Sequence, residues 1–171
     1  MPWQNKPTSP VGRLTRAALL TAIALTIFMA EAQLPAPVPI PGVKLGLANI
    51  ITVYAMYLLG PADTLMILIS RIFLGAVFSG QMMTLLYSLG GGLCCFLAML
   101  VLRQVLGQNQ LWLVSPLAAI FHNLGQVLVA AAVMKTWVVL SYLPYLILAG
   151  ICAGLFTGIC AQLLIRRLGK F

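Results

Sequence analysis

Three hydrogen-bonding side chains lie inside an apolar stretch that is long enough to cross a membrane. The stretch SPLAAIFHNLGQVLVAAAVM, residues 115–134, contains His122, Asn123 and Gln126 among Leu, Ala, Ile and Val. On a helix, Ser115, His122 and Gln126 share one face, and Asn123 lies beside it. Because polar groups that face lipid are costly, we expect these side chains either to line a binding pocket or to hydrogen-bond neighbouring helices.

Four further polar residues accompany this group. Arg71 falls near the middle of an apolar segment, Asn49 lies below the outer end of another, and Glu31 and Lys44 lie near the outer surface. Such groups are expected to face one another or a cavity. Alternatively, Arg71 is a structural partner of Glu31 or of backbone carbonyls, and Glu31 and Lys44 only mark helix ends. The sequence therefore predicts one outward-opening site, with these candidate substrate-binding residues: Glu31, Lys44, Asn49, Arg71, His122, Asn123 and Gln126.

The elements that position these residues are predicted from composition. Of 171 residues, 62% are hydrophobic and only 12 are charged, which excludes an ordinary soluble domain. A membrane crossing needs about 20 apolar residues. The sequence therefore predicts an all-α, polytopic membrane bundle of six helices, a single domain over 14–168, with 1–13 as a cytoplasmic N-terminal segment. The predicted spans are 14–34, 43–60, 62–80, 82–102, 111–134 and 140–165.

Charge placement predicts the orientation of the bundle. Cytoplasmic loops carry an excess of Lys and Arg, so both termini are predicted to be cytoplasmic. The net charge of +8 then reflects topology and attraction to anionic membrane lipids, and nucleic acid is not an expected partner. The inner side would carry Lys6, Arg13, Arg16, Arg103, Arg166, Arg167 and Lys170, against Lys44 and Lys135 outside.

Small residues predict where helices pack closely. Gly150, Gly154 and Gly158 form two overlapping GxxxG units in the last helix, which allow close approach of a neighbour. Ala18 and Ala22 form an AxxxA unit in the first helix. Spacing alone makes AxxxA a weak signal in an Ala-rich helix.

Three longer motifs resemble a known family. PGVKLGLANI after a Pro-rich first loop, SRIFLG in the third helix and FHNLGQ in the fifth resemble the small membrane family called Gx transporter or heptaprenyl diphosphate synthase component I. The resemblance covers nearly the whole chain. That family is similar in length and layout to the substrate-binding S components of energy-coupling factor (ECF) transporters.

The resemblance implies a function as well as a fold. S components are six-helix proteins with both termini inside, an outward-facing pocket under the first loop, and an AxxxA face that docks on a coupling subunit. Ala18 and Ala22 match that face, so the resemblance implies a partner interface there, with a transmembrane coupling subunit and its ATPase subunits as partners. The expected function is uptake of a small vitamin-like or cofactor-like molecule.

The chemistry of the chain argues against an enzyme. Prenyl diphosphate synthases hold magnesium with clustered carboxylates, whereas Glu31 and Asp63 are the only acids here. One His and four scattered Cys do not predict a metal site, and no cofactor is expected. An alternative is a noncatalytic membrane accessory subunit of isoprenoid, quinone or flavin-linked redox metabolism. An autonomous carrier ranks lower, because no inverted repeat is visible.

Overall fold

The computed structural model describes residues 9–34, 46–80 and 82–168. In these ranges the regular elements are all helical. The α-helices are α1 (Pro10–Glu31), α2 (Asn49–Leu58), α3 (Pro61–Ser79), α4 (Met82–Val105), α5 (Leu111–Met134) and α6 (Leu143–Leu168). Short 3₁₀ segments, Gln108–Gln110 and Trp137–Tyr142, precede α5 and α6. The predicted all-α class is thus confirmed for the described residues.

Five of these helices are long and apolar enough to cross a membrane, namely α1, α3, α4, α5 and α6. Many large apolar side chains on their outer surfaces are exposed, among them Phe73, Phe78 and Leu97. An apolar exterior of this kind is compatible with a multi-pass membrane protein, because lipid replaces water as the neighbour. The predicted second span, 43–60, contains only the 10-residue α2, about 15 Å of helix.

Contacts at the two ends of α1 define how the first three helices run. Arg13 near the start of α1 forms an ion pair with Asp63 in the first turn of α3, with 2.7 Å between Arg13 Nε and Asp63 Oδ1. Near the other end, Phe28 of α1 packs against Gly75 of α3. Helices α1 and α3 are therefore parallel, and the chain between them returns through α2.

Glycines bring both neighbours of α5 into backbone contact with it. A β-carbon added to Gly154 would lie 2.5 Å from Pro116 Cα, and one added to Gly158 would lie 2.6 Å from the Leu111 carbonyl oxygen. On the opposite side, one added to Gly125 would lie 2.6 Å from the Gly90 carbonyl oxygen of α4. The GxxxG units of the last helix thus pack against α5, which lies between α4 and α6.

The largest apolar cluster lies toward the end of the bundle that carries the Arg13–Asp63 pair. It includes Tyr57, Met99, Leu111 and Ile165, and the Tyr57 hydroxyl donates to the Leu106 carbonyl oxygen at 3.2 Å. The buried polar residues of the site lie nearer the opposite end. The fold therefore separates an apolar half from a polar half, as the placement of the polar residues in the sequence suggests.

We expect Gly154→Val to lower the free energy of unfolding by about 1 to 3 kcal/mol, because the added carbons overlap the α5 backbone and force α5 and α6 apart. Thermal unfolding of the purified protein in detergent measures this change. Gly107→Ala is the control, since nothing lies within 4 Å of a β-carbon at Gly107. Equal thermal midpoints for the two variants would contradict the assigned α5–α6 contact.

Candidate functional site

Glu31, the last residue of α1, binds the backbone at the start of α2. Its Oε1 accepts from the Gly46 N–H at 2.7 Å, and its Oε2 accepts from the Leu47 N–H at 2.9 Å. Gly46 and Leu47 belong to the turn that leads into α2, and the partial positive charge at the N-terminal end of a helix suits a carboxylate. Although only 6% exposed, Glu31 is therefore well solvated by the protein.

Arg71 of α3 is buried beside this carboxylate. It is 4% exposed, and its Nη2 donates to the Asn49 side-chain oxygen at 3.3 Å. Its Nε has no hydrogen-bond partner among the described residues. Arg71 and Glu31 interact electrostatically without forming a direct ion pair within the described part of the chain. A buried guanidinium with an unused donor still has the capacity to bind an acceptor.

His122 and Gln126 form a hydrogen-bonded pair one turn apart on α5. Their Nε2 atoms are 3.0 Å apart, and both residues are at least 97% buried. In this arrangement Gln126 donates to the imidazole, and its Oε1 has no partner among the described residues. Gly91 of α4 approaches this pair closely, since a β-carbon there would lie 2.7 Å from Gln126 Cγ. The pair thus offers the site an unused acceptor.

Asn123 faces α6 instead. Its Nδ2 donates to the Leu146 carbonyl oxygen at 2.6 Å, and it lines neither of the two cavities found near the site. Ser115 likewise binds α6, through a 2.8 Å hydrogen bond to the Thr157 hydroxyl. These contacts are interhelical hydrogen bonds of the kind that hold membrane bundles together. Of the three polar neighbours in FHNLGQ, the structure therefore brings His122 and Gln126 together with Arg71 and leaves Asn123 aside.

Two small cavities flank the start of α2, each of about 10 Å³, which is room for about one water molecule. One is lined by Glu31, Arg71, His122 and Gln126, together with Gly46, Phe28, Ile72 and Ser88. The other is lined by Asn49, Ser115 and Thr157 among small and apolar residues. Gly46 borders both. The structure is therefore closed, and a drug-sized ligand, which occupies several hundred Å³, requires it to open.

Glu31, Asn49, Arg71, His122 and Gln126 are hereafter called the polar cluster. Predicted residue Lys44 lies outside the described residues. Ala18 and Ala22 lie on the exposed side of α1, away from the cluster. Within the described residues no group of three or more His, Cys, Asp or Glu side chains is placed to hold a metal ion.

Sequence reasoning did not identify Ser88 or the Gly46 and Leu47 N–H groups as parts of the site. Ser88 is a single hydroxyl in an apolar helix, and Ser residues there often bond only their own helix. The backbone groups have no side-chain signature. The available signal was Gly46, which lies within PGVKLGLANI and has a φ of +81°.

Comparison with known proteins adds a family to this geometry. The family model for heptaprenyl diphosphate synthase component I matches residues 20–164. The chain belongs to this family. No curated protein and no solved structure matches it.

The family's description names a component of a synthase, and the two acids of this chain can be compared with what such chemistry needs. Glu31 is bound at the start of α2, whereas Asp63 pairs with Arg13 near the opposite end of α1. Carboxylates so far apart do not form the clustered oxygen ligands that magnesium and diphosphate require. Glu31 and Asp63 therefore do not form a carboxylate pair that could bind magnesium.

The packing around Gly46 can be tested by comparing two alanine substitutions. Both Gly46 and Gly80 have positive φ, of +81° and +64°, so alanine at either costs about 1 to 2 kcal/mol in backbone strain. At Gly46 the β-carbon would also lie 2.8 Å from Asn49 Nδ2 and 3.2 Å from the His122 ring, whereas nothing lies within 4 Å at Gly80. We expect Gly46→Ala to lose about 1 kcal/mol or more beyond Gly80→Ala, measured by thermal unfolding. Equal losses would show that the site is loosely packed.

Proposed function

We propose that this protein is a substrate-binding integral membrane subunit for uptake of a small vitamin-like or cofactor-like molecule, similar to an ECF transporter S component. The observation that carries the proposal is the polar cluster, whose members are at least 94% buried. Three of its polar atoms, Arg71 Nε, His122 Nδ1 and Gln126 Oε1, have no partner among the described residues. A bound polar molecule would supply partners for them.

Purely structural hydrogen bonding is the alternative role for these residues. That role requires polar groups to find partners on a neighbouring helix, as Asn123 Nδ2 and the Ser115 hydroxyl do on α6, although Asn123 Oδ1 has no partner among the described residues. His122 and Gln126 bond each other within one helix, and their side chains face a cavity. Leaving a buried donor or acceptor unsatisfied costs about 1 to 3 kcal/mol, so a ligand that binds these groups gains that amount.

The direction of entry follows from the distribution of charge. Arg13, Arg16, Arg103, Arg166 and Arg167 lie toward the end of the bundle opposite Glu31. If that basic end is cytoplasmic, the polar cluster faces outward, and substrate enters from outside. The exposed face with Ala18 and Ala22 would then be the contact with a transmembrane coupling subunit, whose ATPase partners would supply the energy.

A second candidate is a noncatalytic accessory subunit in isoprenoid, quinone or flavin-linked redox metabolism. The family's description, which names a component of a heptaprenyl diphosphate synthase, favours it. In that case catalysis belongs to another subunit, and the polar cluster holds a partner helix or a lipid. The two proposals differ in what should accompany the protein when it is isolated.

We expect six crossings of the bacterial cytoplasmic membrane, with α2 and its flanking residues forming the short second one and both termini cytoplasmic. The return of the chain between the parallel helices α1 and α3 supports this count. Green fluorescent protein fused to either terminus should fluoresce, whereas the same reporter inserted after Thr136 should be dark. Alkaline phosphatase fused after Thr136 should be active. Termini on opposite sides would contradict six crossings.

We expect native mass spectrometry of the protein from its own membranes to detect a bound small molecule and a coupling module. His122→Ala should lower ligand affinity about ten- to hundredfold, because it removes a buried hydrogen-bond partner. Phe121→Ala is the matched control, since this neighbouring side chain is 46% exposed. Both variants are first checked for unchanged thermal midpoints.

Three results of this experiment are decisive. A ligand that is lost only in His122→Ala supports the transport proposal and gives the substrate class. A folded His122→Ala protein that keeps full affinity contradicts the site assignment. An empty protein isolated with a synthase or redox subunit contradicts transport and supports the accessory role.

A further inference from the structure

Glu31 lies at an unfavourable end of its own helix. It is the last residue of α1, where the helix dipole places partial negative charge and disfavours a carboxylate. Its carboxylate is stabilised instead by the start of α2, where Gly46 N–H and Leu47 N–H each bind one oxygen. The neighbouring residues Ala30, Ala32 and Gln33 are exposed. Glu31 is therefore close to the surface while its carboxylate is turned inward.

The groups that bind this carboxylate form a site that does not depend on its being attached to Glu31. The two N–H groups each donate to one oxygen of a planar carboxylate, at 2.7 and 2.9 Å. Arg71, 96% buried, lines the same cavity and has an unpartnered Nε. We call Gly46 N–H, Leu47 N–H and Arg71 the carboxylate cradle. A carboxylate on another molecule would find the same donors and the same cation.

We propose that the carboxylate cradle is a binding subsite for the carboxylate of the substrate, and that Glu31 fills it when no substrate is bound. This inference rests on the proposed transport function and specifies its substrate as a carboxylic acid. Exchange of one carboxylate for another leaves the buried charge beside Arg71 unchanged, so no cation is left unpaired during binding. Departure of Glu31 toward the exposed end of α1 also provides space that the closed cavity lacks.

The exchange has a consequence beyond the site itself. Glu31 links the C-terminal end of α1 to the turn that leads into α2 through its two hydrogen bonds. When a substrate carboxylate takes those donors, that link is lost, and the end of α1 is released. Helix α1 also presents Ala18 and Ala22 on its exposed side, which is the proposed contact with the coupling subunit. Substrate binding would therefore change the position of the helix that contacts this subunit.

Chemical rescue tests the cradle without knowledge of the substrate. Glu31→Ala removes the atoms of one acetate molecule, so acetate fits the vacated position. We expect Glu31→Ala to unfold at a lower temperature than the unchanged protein, and acetate to raise its midpoint by about 2 to 4 °C relative to chloride at equal ionic strength. The unchanged protein, whose cradle is filled, should show no acetate-specific shift.

The other acid of the chain provides the matched control. Asp63→Ala removes a carboxylate from the first turn of α3 and breaks the Arg13 ion pair, whose arginine is 56% exposed. Acetate should not rescue this variant, because water and salt already reach the exposed Arg13 side chain. Adding Arg71→Met to Glu31→Ala should abolish the acetate effect. If Glu31→Ala does not fold, Glu31→Gln is measured in the same way. Acetate should displace its neutral amide from the cradle and raise the thermal midpoint.

The inference is overturned if acetate fails to stabilise the folded Glu31 variant, or if it stabilises Asp63→Ala and the unchanged protein equally. It is also overturned if native mass spectrometry finds a bound ligand without an acid group, although that result supports the transport proposal. Acetate rescue in a protein that carries no ligand and no coupling module supports the cradle and contradicts transport. The two failures are therefore distinguishable.

Discussion

The burial of Arg71 in an apolar helical bundle is the constraint on which the site depends. A guanidinium at 4% exposure has to find acceptors and negative charge inside the protein, because lipid offers neither. Asn49 supplies one acceptor and Glu31 supplies the charge. Since Glu31 belongs to α1, Asn49 to α2 and Arg71 to α3, this one cation ties three helices together. The start of α2 is fixed for the same reason, because its N–H groups solvate the carboxylate.

Helix α5 forms the remaining wall of the site, and close packing at glycines holds it in place. Glycines on α4 and α6 allow both helices to touch its backbone, so its polar side chains have little freedom. His122 and Gln126 face Arg71 near the polar end of α5, whereas Asn123, and Ser115 about two turns earlier on the face of His122, hydrogen-bond α6. Residues of the polar cluster and residues that hydrogen-bond α6 thus occupy neighbouring positions of one sequence motif.

The apolar length of the chain was sufficient to predict five long helices to within about four residues, because a membrane fixes both the length and the composition of a span. It did not predict the short α2, whose start is limited by the positive φ of Gly46, a backbone property without hydrophobic signature. The depth of each polar residue along its predicted helix was enough to predict that Arg71, His122 and Gln126 lie close together. It could not separate Gln126 from Asn123, because side chains three residues apart lie on neighbouring parts of a helix surface and only packing decides which helix each one contacts.

The two acids of the chain both interact with an arginine, one beside an exposed arginine and the other in the buried interior. Each lies near the start of a helix and interacts with an arginine from a neighbouring helix, Asp63 with Arg13 and Glu31 with Arg71. Arg13 is 56% exposed, so water and salt screen its attraction to Asp63. The Glu31 interaction is buried, where an unmatched charge costs several kcal/mol. If the carboxylate cradle binds substrate as proposed, stability and binding depend on the same carboxylate position, and the group that occupies it must satisfy the fold as well as the site.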